Sequence, residues 1–94
     1  MSKSKQLLAH EDAETLALNA LRFLADDPAR LGRFLALTGI GPDELRDSAG
    51  EPHLLAAVLD HFLRDESLLL VFSAEQRTAP ELIALAHRKL TGEP

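Results

Sequence analysis

The 94-residue chain has no cysteine, no tryptophan and no tyrosine, and it has only four phenylalanines. Without cysteine it can form neither a disulfide nor a thiolate zinc site, and no thiol can act as a nucleophile. So few aromatic rings leave little surface on which nucleic-acid bases could stack. We therefore expect a protein of the reducing cytoplasm rather than a secreted, disulfide-linked domain.

Long hydrophobic segments are missing as well. Apolar runs such as Leu68–Phe72 are far too short to span a bilayer, and the first nine residues lack the apolar stretch of a secretory signal. Fifteen acidic residues outnumber ten lysines and arginines, so the formal net charge is −5, which opposes contact with phosphate backbones and anionic lipids. We expect no membrane partner, and nucleic acid is a less favoured partner than protein.

What the chain does contain is leucine and alanine, the apolar residues that best favour helix, whereas valine and isoleucine are scarce. Hydrophobic residues make up 46% of the chain and charged residues 27%, a composition typical of globular domains. The apolar residues recur at spacings of three and four. We predict an all-α fold, a compact bundle of five to six short helices without a sheet, in which a flexible arm (residues 1–9) precedes a single helical domain (residues 10–92).

Proline, glycine and aspartate mark the predicted helix ends. Helices are expected to begin at the pairs Asp27-Pro28, Gly41-Pro42 and Glu51-Pro52, because proline is tolerated in the first turn. Asp65 is predicted to cap a fifth helix over residues 66–76, whose apolar run Leu68–Phe72 suggests a central, largely buried element. Further signals are Gly39 and Gly92 at helix C-termini and a capping box of Thr78 and Glu81 before the last helix.

The segment Leu35–Leu45 resembles the helix-hairpin-helix motif at its core, Gly39-Ile40-Gly41-Pro42. In that family the N–H groups of the hairpin hold a DNA phosphate without reading sequence, which implies weak, non-specific DNA binding. This chain has Asp43 and Glu44 where binding members usually have Lys or Arg, and these carboxylates would repel the phosphate. The simpler interpretation is a sharp corner between two helices.

Two further groups of side chains could carry a function. His61 and Asp65 are four residues apart and could form a base with its orienting carboxylate, or a weak metal site, but such pairs on helix surfaces are usually only solvated. Arg30 and Arg33 are expected to face solvent, where they could bind an acidic partner or a phosphate. They could equally form surface salt bridges with Asp26 or Asp27.

Most of the chain resembles one known family. The resemblance depends on Glu14–Ala25, on Asp27–Pro42 and on the Phe- and Leu-rich helices after Gly50, and it spans about residues 11–90. The family, domain of unknown function 3572, comprises short, mostly alphaproteobacterial proteins. The resemblance implies a small cytosolic helical protein and transfers no functional residue, because the family has no assigned activity.

Taken together, these features favour a small helical protein-interaction or regulatory module that is not an enzyme. Its partner would be a protein, either a second copy of itself or another chain. The alternative is weak DNA binding through the corner. We expect no catalytic residue, no cofactor and no metal. The residues proposed for an interaction surface are Arg30, Arg33, Gly39, Ile40, Gly41 and Pro42.

Overall fold

The structure, a computed structural model, describes residues 9–92. That part of the chain contains six α-helices and no β-strand, which confirms the all-α prediction. The arm predicted for residues 1–9 lies outside the described residues except for Ala9, the N-cap of the first helix. The helices are α1 (His10–Ala25), α2 (Pro28–Thr38), α3 (Pro42–Ser48), α4 (Pro52–Leu63), α5 (Glu66–Gln76) and α6 (Pro80–Thr91).

Most helices begin and end at the predicted residues. The Asp27 carboxylate caps α2 by accepting from the Ala29 N–H at 2.9 Å, and Pro28 occupies its first turn. Asp65 caps α5 in the same way, accepting from the Leu68 N–H at 3.2 Å. α2 ends at Gly39, whose left-handed backbone (φ 77°) suits a residue without a Cβ.

Three helices, α1, α4 and α6, form the centre of the fold, and α2 and α5 pack around them. Alanines on α1 and α6 allow these two helices to approach closely, because Ala13, Ala17 and Ala86 are fully buried and bring little bulk. Larger side chains fill the centre, mostly from α4. They include Leu55, Val58, Leu59, Phe62 and Ile83, each at most 1% exposed.

A cluster of phenyl rings holds α5 to this centre. Phe72 of α5 lies 4.9 Å from Phe62 of α4 and 5.3 Å from Phe23 of α1, measured between ring centroids. Phe34 of α2 is also fully buried. All four phenylalanines therefore serve the core, and none remains to form an aromatic platform on the surface.

Two predictions about α5 and α6 were wrong. α5 is not a central buried element, because Leu70 and Val71 are 50% and 47% exposed and only Phe72 and Ser73 of the helix are buried. The capping box of Thr78 and Glu81 does not form. α6 begins at Pro80 with Ala79 as N-cap, and the Thr78 hydroxyl donates instead to the Gln76 carbonyl.

Candidate functional site: a groove between α2 and α5

A groove of about 790 Å³ runs across α4, between α2 on one side and the start of α5 on the other. α2 and α5 each pack against α4, so α4 forms the floor and the other two helices form the walls. The lining mixes charged, hydroxyl and apolar side chains. It consists of Arg33, Leu37, Thr38, Ala57, Asp60, His61, Arg64, Asp65, Glu66 and Ser67.

The floor of the groove contains a buried histidine. His61 is 7% exposed, and its ring lies edge-on against Phe34, 5.2 Å between centroids. Its Nε2 atom is buried without a hydrogen-bond partner among the described residues. The prediction that the His61–Asp65 pair is merely solvated on a helix surface was therefore wrong for His61, because Phe34 of α2 covers the ring.

Burial lowers the pKa of His61 below its ordinary value of 6.5, since a charged imidazolium would lose its hydration there. Among the neighbouring charges, Asp65 raises this pKa, Arg33 lowers it and Asp60 raises it, and these effects are smaller than that of burial. His61 is consequently neutral at pH 7. In this neutral form one ring nitrogen donates a hydrogen bond and the other accepts one.

Some of the charged residues that line the groove already have partners within the protein, and others have none among the described residues. The Arg64 Nε donates to the Asp60 carboxylate at 2.7 Å, so this pair neutralises itself. Asp65 is engaged as the cap of α5. Arg33 lies on the α2 wall and Glu66 on the α5 wall, and within residues 9–92 neither forms an ion pair.

The two arginines proposed from the sequence have different roles. Arg30 is only partly exposed. Its guanidinium carbon lies 3.9 Å from the centroid of the Phe23 ring, one of its nitrogens donates to the Phe23 carbonyl at 3.3 Å, and it lies 3.7 Å from the Asp27 carboxylate. Arg30 therefore forms the salt bridge with Asp27 that was predicted from the sequence as an alternative, and its side chain is 33% exposed rather than fully open to solvent, because it also packs on the ring. Arg33 is exposed and lines the groove.

The corner at Gly39–Pro42 contributes no residue to the groove. Ile40 is half-buried against the core, and its N–H donates to the Thr38 hydroxyl at 3.2 Å. Gly41 is the N-cap of α3, a helix of only seven residues. DNA binding through the corner stays a prediction.

The charges around the corner oppose contact with a phosphate. Asp43 and Glu44 are exposed in the first turn of α3, and Arg46 is paired with Asp43. A phosphate at this turn would meet two carboxylates, while the nearest arginine on α3 is already engaged.

The abundance of leucine in the sequence favours some exposed apolar surface, but it did not locate that surface beside the groove. Leu37 is 63% exposed on the α2 wall, and Leu70 and Val71 lie one turn beyond Glu66 and Ser67 on the same side of α5. We call the groove rim and this side of α5 the α2–α5 face, consisting of Arg33, Leu37, Glu66, Ser67, Leu70 and Val71. A signal existed for Leu37, since it falls outside the inward stripe of α2 formed by Leu31, Phe34, Leu35 and Thr38.

Two other features are absent from residues 9–92. No three His, Asp or Glu side chains are grouped so that they could hold a metal ion. No helix in this range combines the length and the apolar character needed to cross a bilayer.

Six short helices around one core, with a buried histidine beneath an interhelical groove, define a small all-helical protein. The chain belongs to the DUF3572 family, described as a protein of unknown function, whose sequence model matches residues 10–93. This confirms the resemblance seen in Glu14–Ala25 and Asp27–Pro42. Comparisons with curated proteins and with solved structures gave no match.

Proposed function

We propose that this protein is an interaction module without catalytic activity, which binds an amphipathic helix on its α2–α5 face. The observation that carries the proposal is that large exposed apolar side chains lie on both helices that border the groove. Leu37, Leu70 and Val71 are three of the four large apolar residues that are exposed in the described part of the chain. Groups of exposed apolar residues are uncommon on surfaces that contact only water and mark partner sites.

The shape and chemistry of the face favour a helix as the occupant. The groove lies between two helices, and a helix laid along it would place apolar residues at i, i+3 and i+4 against Leu37 and Leu70. At the rim, Arg33 and Glu66 can form ion pairs with charged residues on either side of the apolar stripe of the bound helix. Asp60, Arg64 and Asp65 are already engaged within the protein, which leaves few convergent polar groups to orient a small molecule.

The surroundings of His61 support a role other than catalysis. A general base must lie within hydrogen-bond reach of the proton that it removes. The Nε2 atom is buried against the core, and among the described residues no serine or threonine hydroxyl is hydrogen-bonded to His61. The proposal extends to a bacterial cytoplasmic setting, which the family resemblance and the lack of cysteine support.

Site-specific photo-crosslinking in the native host tests this proposal. A benzophenone amino acid in place of Val71 should give a covalent adduct with a defined protein, identified by mass spectrometry. The same amino acid in place of Arg88, which is exposed on α6, should not give that adduct. Equal adducts from both positions, or none from Val71, would contradict the proposal.

A matched pair of substitutions tests whether the adduct depends on the α2–α5 face or on any exposed apolar side chain. Leu70→Ser should abolish the adduct formed from Val71. Leu18→Ser should leave it intact, because Leu18 is 45% exposed but lies on α1, which contributes no residue to the groove. If both substitutions reduce the adduct equally, the binding surface is not the α2–α5 face.

A further inference from the structure

We infer that the occupant of the α2–α5 face is a second copy of this chain, so that the protein forms a twofold-symmetric dimer. This inference rests on the proposed function and names the partner for the same surface. In a twofold dimer the same patch is used by both copies, and every contact between residues i and j occurs twice. A face that serves such a dimer must therefore be complementary to itself.

The charges on the face meet that requirement. Arg33 stands on the α2 wall and Glu66 on the α5 wall, and neither forms an ion pair within residues 9–92. Of the arginines on α2 and in the groove, Arg30 and Arg64 have a carboxylate partner in their own chain, whereas Arg33 has none among the described residues. When two copies meet face to face about a twofold axis, Arg33 of each copy can reach Glu66 of the other. Both charges then gain a partner that the single chain lacks.

The apolar residues lie where the centre of such a dimer would be. Along the exposed side of α5, Leu70 and Val71 are flanked by the small residues Ser67 and Ala74, which would let two α5 helices approach closely. Leu37 adds a large side chain from the opposite wall. An apolar centre with charges at its rim is the usual composition of a specific interface.

Charge reversal tests the inference in the full-length chain. The molar mass of the wild-type protein, measured by light scattering, should rise from monomer to dimer between about 10 µM and about 1 mM. At about 0.15 M salt, where the net charge is largely screened, Arg33→Glu and Glu66→Arg should each weaken the dimer about tenfold or more, because each variant places two like-charged pairs at the interface. Arg88→Glu on α6 makes the same change in net charge as Arg33→Glu and is the matched control; at about 0.15 M salt, where the net charge is largely screened, it should leave the dissociation constant nearly unchanged.

Mixing the two variants gives the decisive measurement. A heterodimer of Arg33→Glu with Glu66→Arg contains one native and one reversed ion pair, both attractive, so the equimolar mixture should dimerise about as well as the wild type. A folding defect in either variant could not produce this rescue. A mixture that stays monomeric while the wild type dimerises would overturn the pairing of Arg33 with Glu66.

The outcomes also separate this inference from the proposed function. If the wild type stays monomeric at about 1 mM but the Val71 position still crosslinks a different protein, the second copy is not the occupant and the interaction module stands. If neither dimer nor adduct forms, both proposals fail. Adducts between two copies of this chain support both.

Discussion

His61 shows how a single residue can oppose the stability of the fold that contains it. Its Nε2 is buried without a partner among the described residues, and an unsatisfied buried polar atom costs on the order of 1–3 kcal/mol. The pKa of His61 is also lowered, first by burial, so that folding excludes a proton that the unfolded chain would accept. Both costs disappear if the ring is replaced by an apolar side chain of similar size.

We therefore predict that His61→Leu raises the free energy of unfolding by about 1 kcal/mol at pH 7.5 and by more at about pH 5. In the unfolded chain His61 titrates near 6.5, whereas the native pKa lies lower. The stability of the wild type should therefore fall as the pH drops through 6.5, until the native histidine is protonated as well. Urea unfolding at a series of pH values measures this slope, and the slope should be shallower in the variant.

The control for this experiment is His53→Leu, because His53 lies on the same helix, α4, but is exposed. An equal change of slope in both variants would show that the effect does not come from the burial of His61. An NMR titration that places the native pKa of His61 above 6.5 would contradict its physical basis.

At the scale of the helices, α5 shows that the ends of a helix and its orientation in the fold depend on different interactions. The cap at Asp65 and the residues 66–76 could be predicted, because capping depends on neighbours in the sequence. The orientation of the helix could not. The five consecutive apolar residues Leu68–Phe72 cover all sides of the helix, so their spacing does not indicate which side is buried. Nothing local therefore shows that Phe72 faces the core while Leu70 and Val71 face outward.

The packing of α5 predicts very different costs for two neighbouring truncations. Phe72→Ala should lower the free energy of unfolding by about 3–5 kcal/mol, because the ring is fully buried between Phe23 and Phe62. Leu70→Ala should change it by no more than about 0.5 kcal/mol when measured on the monomer. Urea unfolding at low protein concentration measures both values. Similar losses for the two variants would mean that α5 is buried on both sides.

Which residues form the candidate site also depends on long-range packing. Arg30 and Arg33 are three residues apart and look alike in the sequence, yet Arg30 packs on Phe23 of α1 while Arg33 lines the groove. His61 is buried because Phe34, 27 positions earlier, covers it. Helix ends could be predicted from adjacent residues, but these contacts depend on how α1, α2 and α4 are arranged, and the sequence pattern does not encode that arrangement in any local signal.

At the scale of the whole molecule, net charge acts against the proposed dimer. Each copy carries −5, and the two shorter dimensions of the molecule are 24 and 18 Å, so the centres of two copies placed side by side would be about 20 Å apart. Coulomb's law in water gives a repulsion of about 5 kcal/mol at that distance without salt. The two Arg33–Glu66 pairs together contribute at most about 2 kcal/mol in the opposite direction.

Salt therefore decides which charge effect dominates, and we predict that it strengthens the dimer. The Debye length falls from about 30 Å at 0.01 M to about 8 Å at 0.15 M, which screens a repulsion acting over about 20 Å far more than ion pairs in contact. The dissociation constant, measured by sedimentation equilibrium, should decrease about tenfold or more over this range. Glu66→Gln loses the attractive pairs but keeps most of the net charge. The dissociation constant of this variant should be higher than that of the wild type, and it should also decrease as salt is added. A wild-type dimer that weakens as salt is added would show that the rim pairs outweigh the net charge.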